Sequence, residues 1–142
     1  PGSFEETAFA KGDRVTFADL SGWRVAIVIC YEVEFPESLR TAADGGAELV
    51  IVPTALGADW GIVSEKVVPA RAFENGVWIA YADQAGSADG FSFYGGSRIV
   101  GPDGTDRAVA GDAEERISAR LDKERVEQLQ KRLPYLRDRT LL

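Results

Sequence analysis

The stretch Val25-Ala26-Ile27-Val28-Ile29-Cys30-Tyr31-Glu32-Val33-Glu34-Phe35-Pro36-Glu37 sets five apolar residues, then a cysteine, against an acidic turn that ends in proline. A continuous apolar run of that length reads as a strand buried on both faces, with Cys30 at its end. Pro36 then opens a helix through Leu39, Ala42 and Ala43 that stops at Gly45-Gly46, with proline at the start and glycine past the end as helix termini prefer. A second apolar run, Leu49-Val50-Ile51-Val52, lies in a strand from Glu48 to Pro53. Strand, helix and strand from Trp23 to Pro53 therefore form a βαβ unit with parallel pairing, which sets Cys30 beside Pro53-Thr54 at the carboxyl edge of the sheet, where open α/β folds bind ligands.

Outward from this unit, Arg14 to Asp19 reads as a strand that pairs with Trp23 to Cys30 through the turn Leu20-Ser21-Gly22. Pro1 to Asp13 carries no element of its own, with Phe4 and Phe9 as loop anchors. A helix is expected from Ile62 to Glu74, interrupted or kinked at Pro69, followed by a strand from Val77 to Ala82. The glycine-rich stretch Asp83 to Gly96 is too long for a simple turn, and such loops at strand ends tend to carry function. Strands Ser97–Val100, Asp106–Ala110 and Arg116–Asp122 complete a meander, and Lys123 to Leu133 is an amphipathic helix ending at Pro134. Residues 123–142 form this helix and a tail without clear period.

Composition narrows the chemistry. The 142 residues are 45% apolar and 27% charged, a globular balance, and long enough for one domain. A net charge of −7 argues against a nucleic-acid partner, and no run reaches the length of a membrane span or a signal peptide, so the chain reads as cytoplasmic. One cysteine and no histidine leave no zinc or iron–sulfur spacing and no disulfide, and they exclude Cys–His and Ser–His–Asp catalysis. No metal or cofactor is expected.

Cys30 has two readings from the residues alone. One is a small hydrophobe closing a strand. The other is a nucleophile on a strand–turn–helix elbow, with free backbone N–H groups near Tyr31 to stabilise an oxyanion. Against the second stand Glu32, Glu34 and Glu37, because acids oppose a thiolate and no lysine or arginine lies close in sequence.

The motif Ile29-Cys30-Tyr31-Glu32-Val33-Glu34-Phe35-Pro36-Glu37 resembles the nucleophile motif of the carbon–nitrogen hydrolase (nitrilase) superfamily. Further family-like elements follow in order: Val52-Pro53-Thr54, Arg71-Ala72-Phe73-Glu74-Asn75-Gly76, Gly96-Ser97 and Gly101-Pro102-Asp103-Gly104. The resemblance implies an α/β fold that is the C-terminal half of a four-layer α-β-β-α sandwich, residues 1–142 being the C-terminal part of a single hydrolase domain about twice as long. It implies a Glu–Lys–Cys triad with Cys30 as nucleophile, the base glutamate and the lysine lying in an absent N-terminal part. Gly2 to Asp13 resembles the segment that follows the lysine motif; Glu5 then matches a second glutamate beside the triad, although read alone it is a loop acid.

By the same resemblance, the Tyr31 backbone N–H contributes to the oxyanion hole, while Glu37, Arg71, Glu74 and Asn75 are structural, the last three near a dimer surface. Phe35, Pro53, Thr54, Trp60 and Tyr94 are candidates for the substrate pocket, with core packing as the alternative for each aromatic. The implied reaction is hydrolysis of a small amide through a thioester, with nitrile or N-carbamoyl hydrolysis as alternatives and a homodimer or larger assembly expected. A noncatalytic module that keeps the fold and a subunit completed by a partner are the rival classes. An isolated fragment of this kind is expected to be inactive, with exposed apolar sheet faces.

Overall fold

The computed structural model describes residues 5–139, so the anchor Phe4 and the tail residues Leu141 and Leu142 lie outside the described residues. Chain order begins with a short helix α1 (Glu5–Ala8), where the sequence led us to expect only loop, and continues into β1 (Thr16–Leu20) and β2 (Trp23–Ile27). These two pair antiparallel with Leu20 opposite Trp23, which leaves a two-residue turn. Both turn residues, Ser21 (φ 49°) and Gly22 (φ 82°), are left-handed, the geometry that matches strand twist in a tight hairpin.

A 3-10 turn (Cys30–Glu34) and helix α2 (Pro36–Asp44) lead into β3 (Leu49–Thr54), and β2 and β3 pair in parallel, as the βαβ reading requires. The next crossover is a 3-10 turn (Ala58–Trp60), a π-helical turn (Val63–Val67) and α3 (Val68–Asn75), ending in β4 (Trp78–Asp83), parallel to β3. The expected helix break thus takes a definite form. Pro69 has no N–H to give the preceding turn, and the wider π turn absorbs the missing bond before α3 starts around the proline.

A two-stranded hairpin, β5 (Ser87–Ala88) and β6 (Phe91–Ser92), occupies the long loop after β4. β7 (Arg98–Val100) and β8 (Asp106–Val109) then extend the sheet antiparallel, giving the order β1-β2-β3-β4-β7-β8. α4 (Lys123–Arg132) and a short α5 (Tyr135–Asp138) close the described chain. The expected strand Arg116–Asp122 does not form. Its alternation is real, with Ile117, Ala119 and Leu121 half-buried between exposed neighbours, but the segment lies over the sheet face, flanking Ala80 and Ile99 and giving the Asp122 carbonyl to Trp78 Nε1 at 3.0 Å. An extended chain crossing a face has no ladder partner.

The two faces of the sheet are covered unequally. Ala26, Val28, Val50, Val52, Ile79 and Tyr81 pack under Leu39 and Ala42 of α2 and Val68 and Ala72 of α3, each at most 2% exposed. On the opposite face Val25, Leu49 and Trp78 meet Val126 of α4, while Ile27, Ile51, Ala80 and Ile99 stay half-buried and Ala82 and Pro53 exposed. α4 is pinned there by Lys123, whose ammonium reaches the Gly22 carbonyl and Glu48 Oε2, the latter at 2.8 Å. Burial opposes the Glu48 charge, but Lys123 and the Arg24 N–H outweigh it and hold the carboxyl below its ordinary value.

Candidate active site

The β2 ladder runs to Ile27, and the extended chain itself ends three residues later at Cys30, whose φ of 49° a strand cannot continue. Val28 N–H still donates to Ile51 O (3.1 Å), Ile29 remains extended, and the chain then reverses into the 3-10 turn that begins at Cys30. Such a strand–turn–helix corner with a non-glycine residue at positive φ lifts a side chain off the sheet edge, and the half-exposed Cys30 sits on it. Cys30 and Tyr31 occupy the first two positions of the turn, whose N–H groups have no acceptor within it. The Tyr31 side chain is 61% exposed and meets Phe35 edge-on at 4.9 Å.

Both ends of the turn are tied down. The Ile29 N–H donates to Glu32 Oε2 (2.7 Å) and the Glu32 N–H donates back to Ile29 O (3.0 Å). At the other end Arg71, from α3, donates through Nε to Val33 O (3.1 Å) and through Nη2 to Glu34 O (2.7 Å), while Nη1 pairs with Glu74 Oε1 (3.1 Å). Arg40 of α2 reaches the Glu74 carbonyl at 3.0 Å. Asn75, 1% exposed, donates to Arg71 O (2.9 Å) at the end of α3. Glu37 sits in the first turn of α2, where a carboxylate favours the helix N-terminus.

The pocket candidates are dispersed. Phe35 (45% exposed), Pro53 and Trp60 (63% exposed) present open surface, and Thr54 is half-buried at the end of β3. The Tyr94 ring lies against Gly61 and Gly96, and its hydroxyl donates to Glu65 Oε1 of the π turn at 2.5 Å; the Glu65 carboxylate raises the phenol above its ordinary value. An open cleft of about 480 Å³ beside the strand end is lined by residues 12–16, Ile27–Ile29, Glu32, Glu37, Ser38 and Thr41, so of the predicted residues it takes in only Glu37. The backbone of Glu5 opens α1.

Tyr81 and Asp83 are site neighbours that the sequence reading passed over. They share the helix-covered face with Thr54, which pairs with Asp83 in the ladder. Asp83 Oδ1 accepts the Leu56 N–H at 2.7 Å, whereas its Oδ2 and the Tyr81 hydroxyl are buried without a well-formed hydrogen bond. Burial raises Asp83 above its usual value, and burial followed by the Asp83 charge pushes Tyr81 far above the phenol range, with Cys30 and Glu34 adding to the push. The sequence predicts a strand that ends at Ala82 and a loop that begins at Asp83, and no local pattern marks a buried carboxylate there. A raised carboxylate destabilises the fold where it is ionised: the penalty is full above the folded value and fades as pH falls through it toward 3.8. Asp83→Asn should therefore be more stable than the parent at neutral pH and lose that pH dependence, as urea midpoints between pH 4 and pH 7 would read (roughly the window above the ordinary carboxylate value); equal pH dependence in both proteins would refute it.

A three-stranded parallel core with a cysteine on a left-handed corner at its carboxyl edge defines an α/β protein of the cysteine-elbow type. Residues 1–131 match the carbon-nitrogen hydrolase family, and the chain belongs to it. It is 37% identical over 139 residues to an (R)-stereoselective amidase from a Pseudomonas species, a match covering 97% of this chain and 51% of that protein. It superposes on an amidase from Nesterenkonia sp. with a TM-score of 0.82 at 38% identity, over 100% of this chain and 55% of that one. A mutant of the same amidase, carrying the acetamide moiety of fluoroacetamide at its active-site cysteine, matches with TM-score 0.82 and 38% identity, over 100% of this chain and 53% of that one. The chain spans about half the length of the curated relatives it matches. Its α/β architecture is that of these sandwich-fold amidases over the matched half.

Proposed function

We propose that the whole protein containing this chain hydrolyses a small amide to a carboxylic acid and ammonia, with Cys30 as nucleophile. The observation that carries the reading is the left-handed corner at Cys30 in a chain that matches, along its length, an amidase whose active-site cysteine forms a covalent adduct. The thiolate attacks the carbonyl carbon; the C–N bond breaks as the nitrogen takes a proton and leaves as ammonia; water then attacks the thioester and releases the acid and the thiol. The base glutamate and the lysine come from the part of the domain outside this chain, with Glu5 beside them, and the lysine supplies the positive charge that offsets the acids around Cys30. The Tyr31 N–H joins that lysine at the developing oxyanion.

Phe35, Pro53, Thr54 and Trp60 face the substrate once the rest of the domain covers them, and Tyr94 contributes its ring, its hydroxyl being held by Glu65. The half-buried residues Ile27, Ile51, Ala80 and Ile99 form the surface onto which the second sheet packs. No helix among the described residues is long and apolar enough to cross a membrane. The free thiol of Cys30 suits a reducing compartment, and cytoplasm completes the reading, together with the homodimer that the family resemblance implies.

Incubation of the whole protein with short aliphatic amides and the matching nitriles, followed by ammonia assay, tests the proposal, and fluoroacetamide should add covalently to the peptide holding Cys30. Release from nitriles alone would move the enzyme to the nitrilase branch; no release and no adduct would leave a noncatalytic module. Residues 1–142 expressed alone should release no ammonia. Turnover by that piece would refute the assignment of base and lysine to the rest of the domain.

A further inference from the structure

We propose that Glu32 and Arg71 form a two-ended clamp that holds the elbow in its left-handed form, making both of them positioning residues for Cys30; this rests on the reading of Cys30 as nucleophile. The corner is costly by itself. A non-glycine residue at positive φ is disfavoured because its Cβ crowds the following carbonyl oxygen, and a 3-10 turn carries poorer hydrogen bonds than an α-helix. Left unpinned, five residues between a strand and a helix would relax toward extended or α geometry and carry the thiol off its line.

Each end of the turn has its own restraint. On the entry side the Glu32 carboxylate takes the Ile29 N–H at 2.7 Å while the Glu32 N–H returns to Ile29 O at 3.0 Å, so the two peptides flanking Ile29, the second of which leads directly into Cys30, are fixed by one residue. On the exit side a 3-10 turn leaves its last carbonyls without donors. Arg71 fills Val33 O and Glu34 O from one planar guanidinium, at 3.1 and 2.7 Å, and the third nitrogen is held by Glu74 at 3.1 Å. The Arg71 side chain is only 14% exposed and lies on α3, 37 and 38 residues away in sequence from the carbonyls it binds. The Arg71–Glu74 pair, which by resemblance belongs to a structural motif near a dimer surface, is thus aimed at the elbow. Glu32 also changes meaning: its carboxylate is committed to a backbone amide, so it is not simply an acid opposing the thiolate.

The whole protein carrying Glu32→Ala, Glu32→Gln, Arg71→Ala or Arg71→Lys tests this, with kcat and KM for a small amide, the urea midpoint, and the pH profile of iodoacetamide alkylation at the Cys30 peptide as readouts. Glu32→Ala and Arg71→Ala should each lower kcat about tenfold or more with KM nearly unchanged, the size expected when one or two oriented hydrogen bonds are lost. Alkylation of Cys30 in both should move to higher pH, because the displaced thiol leaves its cation. Glu32→Gln keeps an oxygen for the Ile29 N–H and should restore most of kcat, whereas Arg71→Lys should not, since an ammonium cannot serve two carbonyls and a carboxylate in one plane. Lowered urea midpoints with kcat and alkylation unchanged would make the residues merely structural and overturn the clamp. Alkylation moving to lower pH in both Glu32 variants would show that the thiol feels the charge and not the bond, and would also overturn it. If Arg71→Ala fails to fold, the exposed Glu32 pair decides. A parent enzyme that releases no ammonia removes the amidase reading, and the alkylation profiles then judge the clamp alone.

Discussion

Replacing Cys30 by alanine in the whole protein should abolish ammonia release from amides, a loss on the order of 10⁴-fold or more, while the fold survives. Loss of a covalent nucleophile removes the thioester route entirely, and no histidine is present in this chain to activate water instead. The fold should tolerate the change because Cys30 lies outside both buried clusters and is half-exposed. Alanine keeps the Cβ, so the left-handed corner at φ 49° costs the same in both proteins. Cys30→Gly is the informative companion. Glycine has no Cβ to oppose positive φ, so it should be more stable than the alanine variant by about 1 kcal/mol. Ammonia assay and urea unfolding of the three proteins read both claims: retained turnover in Cys30→Ala would sink the nucleophile, and a glycine variant no more stable than alanine would show that the corner carries no strain.

Trp78→Ala should cost about 3–5 kcal/mol of stability, the range for deleting a buried large aromatic. Trp78 is 1% exposed and stands at the centre of the smaller cluster with Val25, Leu49 and Val126. Its indole N–H also holds the Asp122 carbonyl at 3.0 Å, at the residue that caps α4 through the Glu124 N–H. The substitution therefore opens a cavity and releases the crossing segment at its junction with the helix. Trp78→Phe, which keeps most of the packing and gives up that bond, should lose less, about 1–2 kcal/mol. Urea midpoints at constant slope measure the difference. A Trp78→Ala protein within 1 kcal/mol of the parent (compare the cavity costs above) would mean that α4 is not held by this contact.

Much of this fold is written locally. The runs Val25–Ile29 and Leu49–Val52 have no polar residue to place in water, so they had to become central strands, and Pro36 and Gly45-Gly46 mark the ends of the helix between them. The parallel pairing and the carboxyl-edge position of Cys30 follow from that one unit. Where the reading failed, the cause was non-local. The alternation of Ile117, Ala119 and Leu121 is that of a strand, but whether such a segment pairs at an edge or crosses a face depends on which side of the sheet is uncovered. Pro69 announced a break in the helix, yet a π turn as the form of that break is set by packing, with Ser64 buried and bonded to Gly96 O and Arg98.

For the site, the sequence by itself determined the nucleophile candidate, its place after a buried strand, and the exclusion of histidine chemistry, because these depend only on residue order and composition. Only the tertiary structure decided the left-handed turn at Cys30, the commitment of Glu32 to the Ile29 amide, and the reach of Arg71 across 37 and 38 residues to the Glu34 and Val33 carbonyls. It also placed Asp83 in the ladder opposite Thr54, where one of its oxygens is buried without a well-formed hydrogen bond. The physical reason is the same in each case. Hydrophobic periodicity fixes which face of an element is buried, whereas the partner of a side-chain donor or a buried carboxylate is fixed by how separate elements pack, and no local pattern encodes that choice.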